Sequence, residues 1–202
     1  MTFTVDVPTK VLFGAGQLNE LGKQSLPGKK ALLLISNGKS TKANGYLERT
    51  EQQLSQAGVE YAIFAEIEPN PLKSTVMRGA AFARENGCDF IVALGGGSVM
   101  DASKAIATMA TNDGDLWDYV GGGTGKGLPF PKAPLPIVAI TTTAGTGSEV
   151  DQWGVITNEE TNEKIGFGGP DSLFPVLAIV DPELMLTVPP QYTAYQGFDA
   201  LF

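Results

Sequence analysis

Between Phe90 and Met109 the chain reads FIVALGGGSVMDASKAIATM, and this stretch limits the fold more than any other. Phe90 to Leu94 form an unbroken apolar run, as a strand covered on both faces does. Gly95, Gly96, Gly97 and Ser98 follow, and then Val99, Ala102, Ala105, Ile106 and Met109 recur at helical spacing, with Asp101, Lys104 and Thr108 expected to face elsewhere. A strand, a glycine turn and a helix start aim free backbone N–H groups, backed by the helix dipole, at one point in space. Such a point attracts an anion, a nucleotide pyrophosphate before others. Glycines permit the close approach and Ser98 offers a hydroxyl. A tight turn with no ligand is the plainer alternative. The spacing is not G-x-G-x-x-G, so the usual dinucleotide fingerprint is not met.

The 202 residues suit one large domain, or a domain with part of another. A 43% hydrophobic, 18% charged composition can bury a core. The formal charge of −8, with no long basic run, argues against nucleic acid as a partner. Cys88 is the only cysteine, which excludes an internal disulfide and fits a reducing compartment. No apolar stretch reaches about 18 residues and MTFTVDVPTK lacks the apolar core of a signal peptide, so no membrane partner and a cytoplasmic location are expected. The chain has no histidine, which removes the commonest general base and metal ligand.

Along the chain, Thr2 to Val7 alternates like an edge strand, and Lys10 to Phe13 continues as another. Gln17 to Gln24 reads as a short amphipathic helix after Gly14-Ala15-Gly16. Lys30 to Ile35 is a buried strand with the polar loop Ser36-Asn37-Gly38-Lys39-Ser40 at its end. A helix over 46–57, a strand over 59–65, the rigid turn Pro69-Asn70-Pro71 and a helix over 73–86 lead into the central unit. Asp113 to Pro136 is a Gly- and Pro-rich loop, read as a surface excursion or lid. The strand Ile137 to Ile140 runs into TTTAGTGSE, where hydroxyls and glycines again collect at a strand end, either to meet a nucleotide or as a simple polar turn. A hairpin spans Val155–Asn158 and Lys164–Phe167, a last strand spans Val176–Val180, and Gln191 to Phe202 begins a helix. Lys164 is either a surface salt-bridging residue or a cation near the ligand. Strands alternating with helices predict an α/β fold: a doubly wound, Rossmann-like parallel sheet with helices on both faces.

Several of these strings together resemble one family, the iron-containing (group III) alcohol dehydrogenases. GGGSVMDASKAI over 95–106 is similar to its GGGSxxDxxKxI signature, and TTTAGTGSEV over 141–150 to its TTAGTGSE signature. Pro69-Asn70-Pro71 resembles its PNP turn, and Gly197-Phe198-Asp199-Ala200-Leu201 its G-x-D-A-L string. VDQWGVIT and the SNGKS loop look most like the butanol dehydrogenases. The resemblance implies a dinucleotide-binding α/β domain over 1–182 and the beginning of an all-helical metal-binding domain over 183–202, truncated, so that the chain is the N-terminal half.

The activity implied is NAD(P)-dependent, metal-dependent hydride exchange with a primary alcohol or aldehyde, aided by Fe²⁺ or Zn²⁺ as Lewis acid. By position, Gly95, Gly96, Gly97 and Ser98 would hold the pyrophosphate, Thr142, Thr143 and Thr146 would line the cofactor, and Asn70 and Lys164 would sit toward its ribose and nicotinamide. Asp199 matches the first metal ligand, while the first histidine of the family's Asp-and-three-His set falls one past Phe202. A single carboxylate binds such a metal weakly, so this chain alone is expected to show little turnover. NAD-selective enzymes place an acid after the second strand. Here Gly38, Lys39 and Ser40 provide a cation, a hydroxyl and backbone N–H groups instead, which favours NADP(H). A homo-oligomer, a dimer, is expected. The rival readings are a non-catalytic nucleotide-binding or assembly fragment without histidine ligands, and a polyol-dehydrogenase- or dehydroquinate-synthase-like protein, against which TTAGTGSE speaks.

Overall fold

Short apolar runs with glycine stops and amphipathic segments between them assemble, in the computed structural model, into three layers; residues 2–201 are described. The first strand, β1 (Lys10–Phe13), is followed by a 3₁₀ helix at Gln17–Lys23 and β2 (Lys30–Ser36). Next come α1 (Ser40–Ala43), α2 (Tyr46–Gln56), β3 (Glu60–Ile67) and α3 (Lys73–Glu85). The central unit is β4 (Phe90–Gly95) and α4 (Gly97–Thr111), then α5 (Leu116–Tyr119) and β5 (Ile137–Thr141). The hairpin β6 (Trp153–Asn158) and β7 (Glu163–Gly168) precedes β8 (Leu177–Val180) and α6 (Pro190–Leu201).

Six strands pair in the order β1-β8-β5-β4-β2-β3, every neighbour parallel. Because side chains alternate along a strand, the sheet feeds two cores. Leu32, Leu34, Ile91, Ala93, Ile137 and Ala139 pack under α3 and α4. Leu33, Ile35, Val92, Leu94, Val138 and Ile140 pack with the 3₁₀ helix and α2 on the opposite face. The doubly wound expectation is therefore met. From β2 the chain leaves toward β3, and from β4 it leaves the opposite way toward β5, so the crevice beyond the C-terminal ends of β2 and β4 is the topological switch point.

Three local expectations are corrected. Thr2–Val7 carries no strand: its alternation has no partner, and Phe3 and Val5 stay exposed while Lys10–Phe13 takes the place beside β8. The short helix expected after Gly16 is present as a 3₁₀ helix, closed by Asp181, whose carboxylate accepts from the N–H groups of Gly16 and Leu18 at 3.1 Å each and ties β1 to the end of β8. The stretch 113–136 is not a free excursion. It contains α5, closed by a capping box between Asp115 and Asp118, and buries Leu116, Trp117 and Val120. Lys104 and Thr108, expected to face elsewhere than the apolar stripe, are as fully buried as the stripe itself, because α4 is covered by β6 as well as by the sheet. The expected terminal helix is α6; Phe202 lies outside the described residues.

Candidate functional site

Two loops meet over the switch point. Gly95 closes β4, and its carbonyl accepts from the N–H of Thr142 at 2.9 Å, so the glycine turn and the threonine loop after β5 are tied directly together. Contact across the join is close. A methyl group on Gly96 would lie 2.8 Å from Thr143 Oγ1, and one on Gly97 would lie 2.8 Å from Thr146 Cγ2. On Gly95 it would strike Val99 Cγ2 at 2.5 Å. Gly96 is extended and α4 starts at Gly97 with no side-chain cap, which leaves first-turn N–H groups directed at the crevice. A ligand's oxygens are the partners this geometry invites.

A chain of connected clefts runs from this point in both directions. One, of about 520 Å³, is lined by Gly38, Glu68, Gly96, Gly97, Ser98 and Thr143 among others. A second, of about 440 Å³, continues past Ser98 to Asn70, Asp101, Thr146, Lys164 and Asp199. A third joins Ser40, Asn44 and Tyr46 to Thr142, Thr143 and Thr187. The residues expected at the site are thus brought to one groove, with Lys39 exposed between Gly38 and Ser40 at the start of α1 and outside these linings. Asn70 holds φ +56°, a value that asparagine tolerates, and its side chain accepts from Lys164 Nζ at 2.7 Å. Its N–H donates to Ser98 Oγ at 3.3 Å.

The sequence reading missed several groups here. Glu68 reaches the groove from the end of β3, because Ser36 and Ile67 are paired across the sheet. Its Oε1 accepts from Thr75 Oγ1 at 2.8 Å, whereas its Oε2 is buried with no hydrogen-bond partner. Asn44, Tyr46 and Thr187 converge from the end of α1, the start of α2 and the segment before α6; Asn44 Nδ2 donates to Thr187 Oγ1 at 2.9 Å. None of these lies within a glycine motif, so no local signal marked them.

Asp101 and Lys104 form the charged floor. Lys104 Nζ donates to Ser148 Oγ at 2.8 Å, to Asp151 Oδ1 at 2.5 Å and to the carbonyl of Trp153. Ser148 Oγ donates onward to Asp101 Oδ1 at 2.7 Å, and Asp101 Oδ2 accepts from the N–H of Val155 at 2.9 Å. Burial pushes the Asp101 carboxyl up, against the pull of its bonds to Ser148 and Val155. Burial likewise pulls the Lys104 ammonium down, while Asp151 opposes that shift.

The arrangement suits a dinucleotide: a glycine cradle too tight for any Cβ, an uncapped helix start, clefts on both sides, and an orphaned carboxylate oxygen awaiting a donor. It does not by itself make a divalent-metal site. Among the described residues no three His, Cys, Asp or Glu side chains converge, and Asp199 stands on α6 as one exposed carboxylate beside Gly145. Selective sites need several convergent donors. Among the described residues no helix is long and apolar enough to cross a membrane.

Comparison with known proteins agrees with this geometry. The family profile described as iron-containing alcohol dehydrogenase matches residues 8–182. A probable NADH-dependent butanol dehydrogenase 1 of Bacillus subtilis (strain 168) is 43% identical over 199 residues, covering 98% of this chain and 50% of that protein. A 1,3-propanediol dehydrogenase of Klebsiella pneumoniae is 43% identical over 197 residues, covering 96% and 49%. The crystal structure of NADH-dependent butanol dehydrogenase A from Thermotoga maritima superposes with a TM-score of 0.89 at 33% identity, covering 99% of this chain and 49% of the other. The chain spans about half the length of the curated relatives it matches.

Proposed function

The chain belongs to the iron-containing alcohol dehydrogenase family, and from that premise we propose that it is the cofactor-binding part of an NAD(P)-dependent, metal-dependent dehydrogenase acting on primary alcohols and aldehydes. The observation that carries the reading is the contact between Gly95–Gly97 and Thr142–Thr146 over the switch point. On this reading the N–H groups at the start of α4 and the Ser98 hydroxyl bind the pyrophosphate, and Thr142, Thr143 and Thr146 form the opposite wall. The cleft of Asn44, Tyr46 and Thr187 takes the adenine end. Asn70 and Lys164, already bonded to each other, orient the nicotinamide ribose, and the hairpin shields that end from water. When bound, the nicotinamide supplies hydride exchange with the substrate carbon. Asp199 is the one metal-ligand position of the family pattern that this sequence carries. Residues 1–182 are the dinucleotide domain and 183–202 the beginning of a helical one, a division supported by α6, which buries none of its described residues.

We assign the dinucleotide as NADP(H), on the cation Lys39 and the hydroxyl of Ser40 that follow Gly38. The names of the butanol dehydrogenases above, both NADH-dependent, favour NADH as the second reading. Titration with NADPH and with NADH, following nicotinamide fluorescence, separates them. Tighter NADPH binding that K39A abolishes supports the assignment, equal or tighter NADH binding overturns it, and binding of neither overturns the cofactor reading. The absence of histidine favours one further alternative, a nucleotide-binding or assembly fragment without turnover. Alcohol oxidation restored by adding a polypeptide that carries the family's C-terminal half would refute it.

A further inference from the structure

Among the described residues Lys104 is the largest charged side chain with no exposed surface, and the cofactor contacts above do not use it. An ammonium carries three N–H donors and no acceptor, and here each donor has its own partner: Ser148 Oγ, Asp151 Oδ1 and the Trp153 carbonyl. These partners lie on the threonine loop after β5 and at the base of the hairpin, while Lys104 belongs to α4. The bond direction through Ser148 is fixed at both ends, since lysine only donates and a carboxylate only accepts. The hydroxyl proton therefore points at Asp101 Oδ1, and Asp101 Oδ2 holds the N–H of Val155. Gly154 closes the same joint, because a methyl group there would lie 2.8 Å from Asp101 Cα.

The walls around Ser98, Thr146, Val155 and Lys164 thus come from three separate segments, joined beneath the groove by one buried cation. Burying a charge is costly unless it is fully paired, and an apolar side chain would suffice merely to fill the space under α4. We propose that Lys104, acting through Ser148 and Asp101, is a positioning residue that sets the spacing of the nicotinamide end of the groove. The inference rests on the cofactor reading above. It distinguishes the two ends of the ligand: the phosphate cradle is made by backbone at Gly95–Ser98 and does not depend on Lys104, whereas the hairpin wall with Lys164 does.

The test titrates the wild-type protein, K104M and S148A with ADP and with the reduced dinucleotide that the wild type binds, with melting temperature recorded alongside. In K104M, ADP affinity is expected to stay within about twofold while the reduced dinucleotide loses about tenfold and its nicotinamide fluorescence enhancement falls, a tenfold loss being ~1.4 kcal/mol. S148A keeps the ion pair of Lys104 to Asp151 and removes the hydroxyl through which Lys104 reaches Asp101, so it reads the same effect, in smaller measure, if K104M does not fold. Equal loss for ADP and the dinucleotide would reduce Lys104 to a merely structural part and overturn the proposal, as would dinucleotide binding unchanged in S148A. If the wild-type protein binds neither ligand, the cofactor reading fails and the inference with it.

Discussion

Gly96 and Thr143 approach across the groove so closely that a single methyl group must displace a hydroxyl. In G96A, Thr143 turns into the space reserved for ligand, so dinucleotide affinity is expected to fall about tenfold (~1.4 kcal/mol), with circular dichroism unchanged. Glu163 is the residue with the clearest acid signature. The Thr124 hydroxyl first, and Thr161 next, hold its carboxyl down to about 2 from an ordinary 4.5. A carboxylate depressed in the fold stabilises it above the unfolded value, and that contribution is lost as pH falls from about 4.5 toward 2. Melting temperature against pH should therefore drop less steeply over that window in E163Q than in the wild type. The glycine cradle was legible because its signal is local: strand, turn and helix follow one another within twenty residues or so. The Lys104 partners were not, because Ser148 lies 44 positions away and Asp151 lies 47, and no periodicity in α4 distinguishes a buried lysine from an exposed one.

At the scale of elements, the central strands could be read directly, since a strand covered on both faces must be apolar throughout. Edges were harder. Thr2–Val7 alternates as convincingly as many true strands, and what it lacks is a hydrogen-bonding neighbour, which composition does not encode. The short α5 was hidden in a Gly- and Pro-rich stretch whose order comes from Glu163: it accepts from Trp117 Nε1 at 3.0 Å and from the Thr124 N–H at 2.8 Å. Asp181 does comparable work at the other end of the chain, accepting from the N–H groups of Gly16, Leu18 and Glu183 while fully buried. D181A leaves those donors without a partner and is expected to cost about 1–3 kcal/mol in denaturant unfolding, with no loss of ADP binding beyond that set by stability.

For the whole molecule, the two cores are closed, but two surfaces are not. Phe198 and Leu201 on α6 are 64% and 73% exposed, and Phe3 near the other end is 80% exposed. Exposed apolar area of this kind promotes association. Sedimentation velocity is expected to show average mass rising with concentration, and F198S/L201S should reduce the rise without altering the melting transition.

The pairing of Lys10 with Leu177 has a consequence in time. β1 is made early during synthesis and its partner in the sheet, β8, comes late, so its docking requires closure of a loop that spans most of the chain. Such closure is slow even when its entropic cost grows only logarithmically with length. The order of events follows: β2, β3 and β4, neighbours in sequence and in space, consolidate first, and β1 waits for β8 and for the carboxylate of Asp181 that fastens the turn behind it. Pulse-labelled hydrogen exchange during refolding would find the amides of β4 protected before those of Lys10–Phe13.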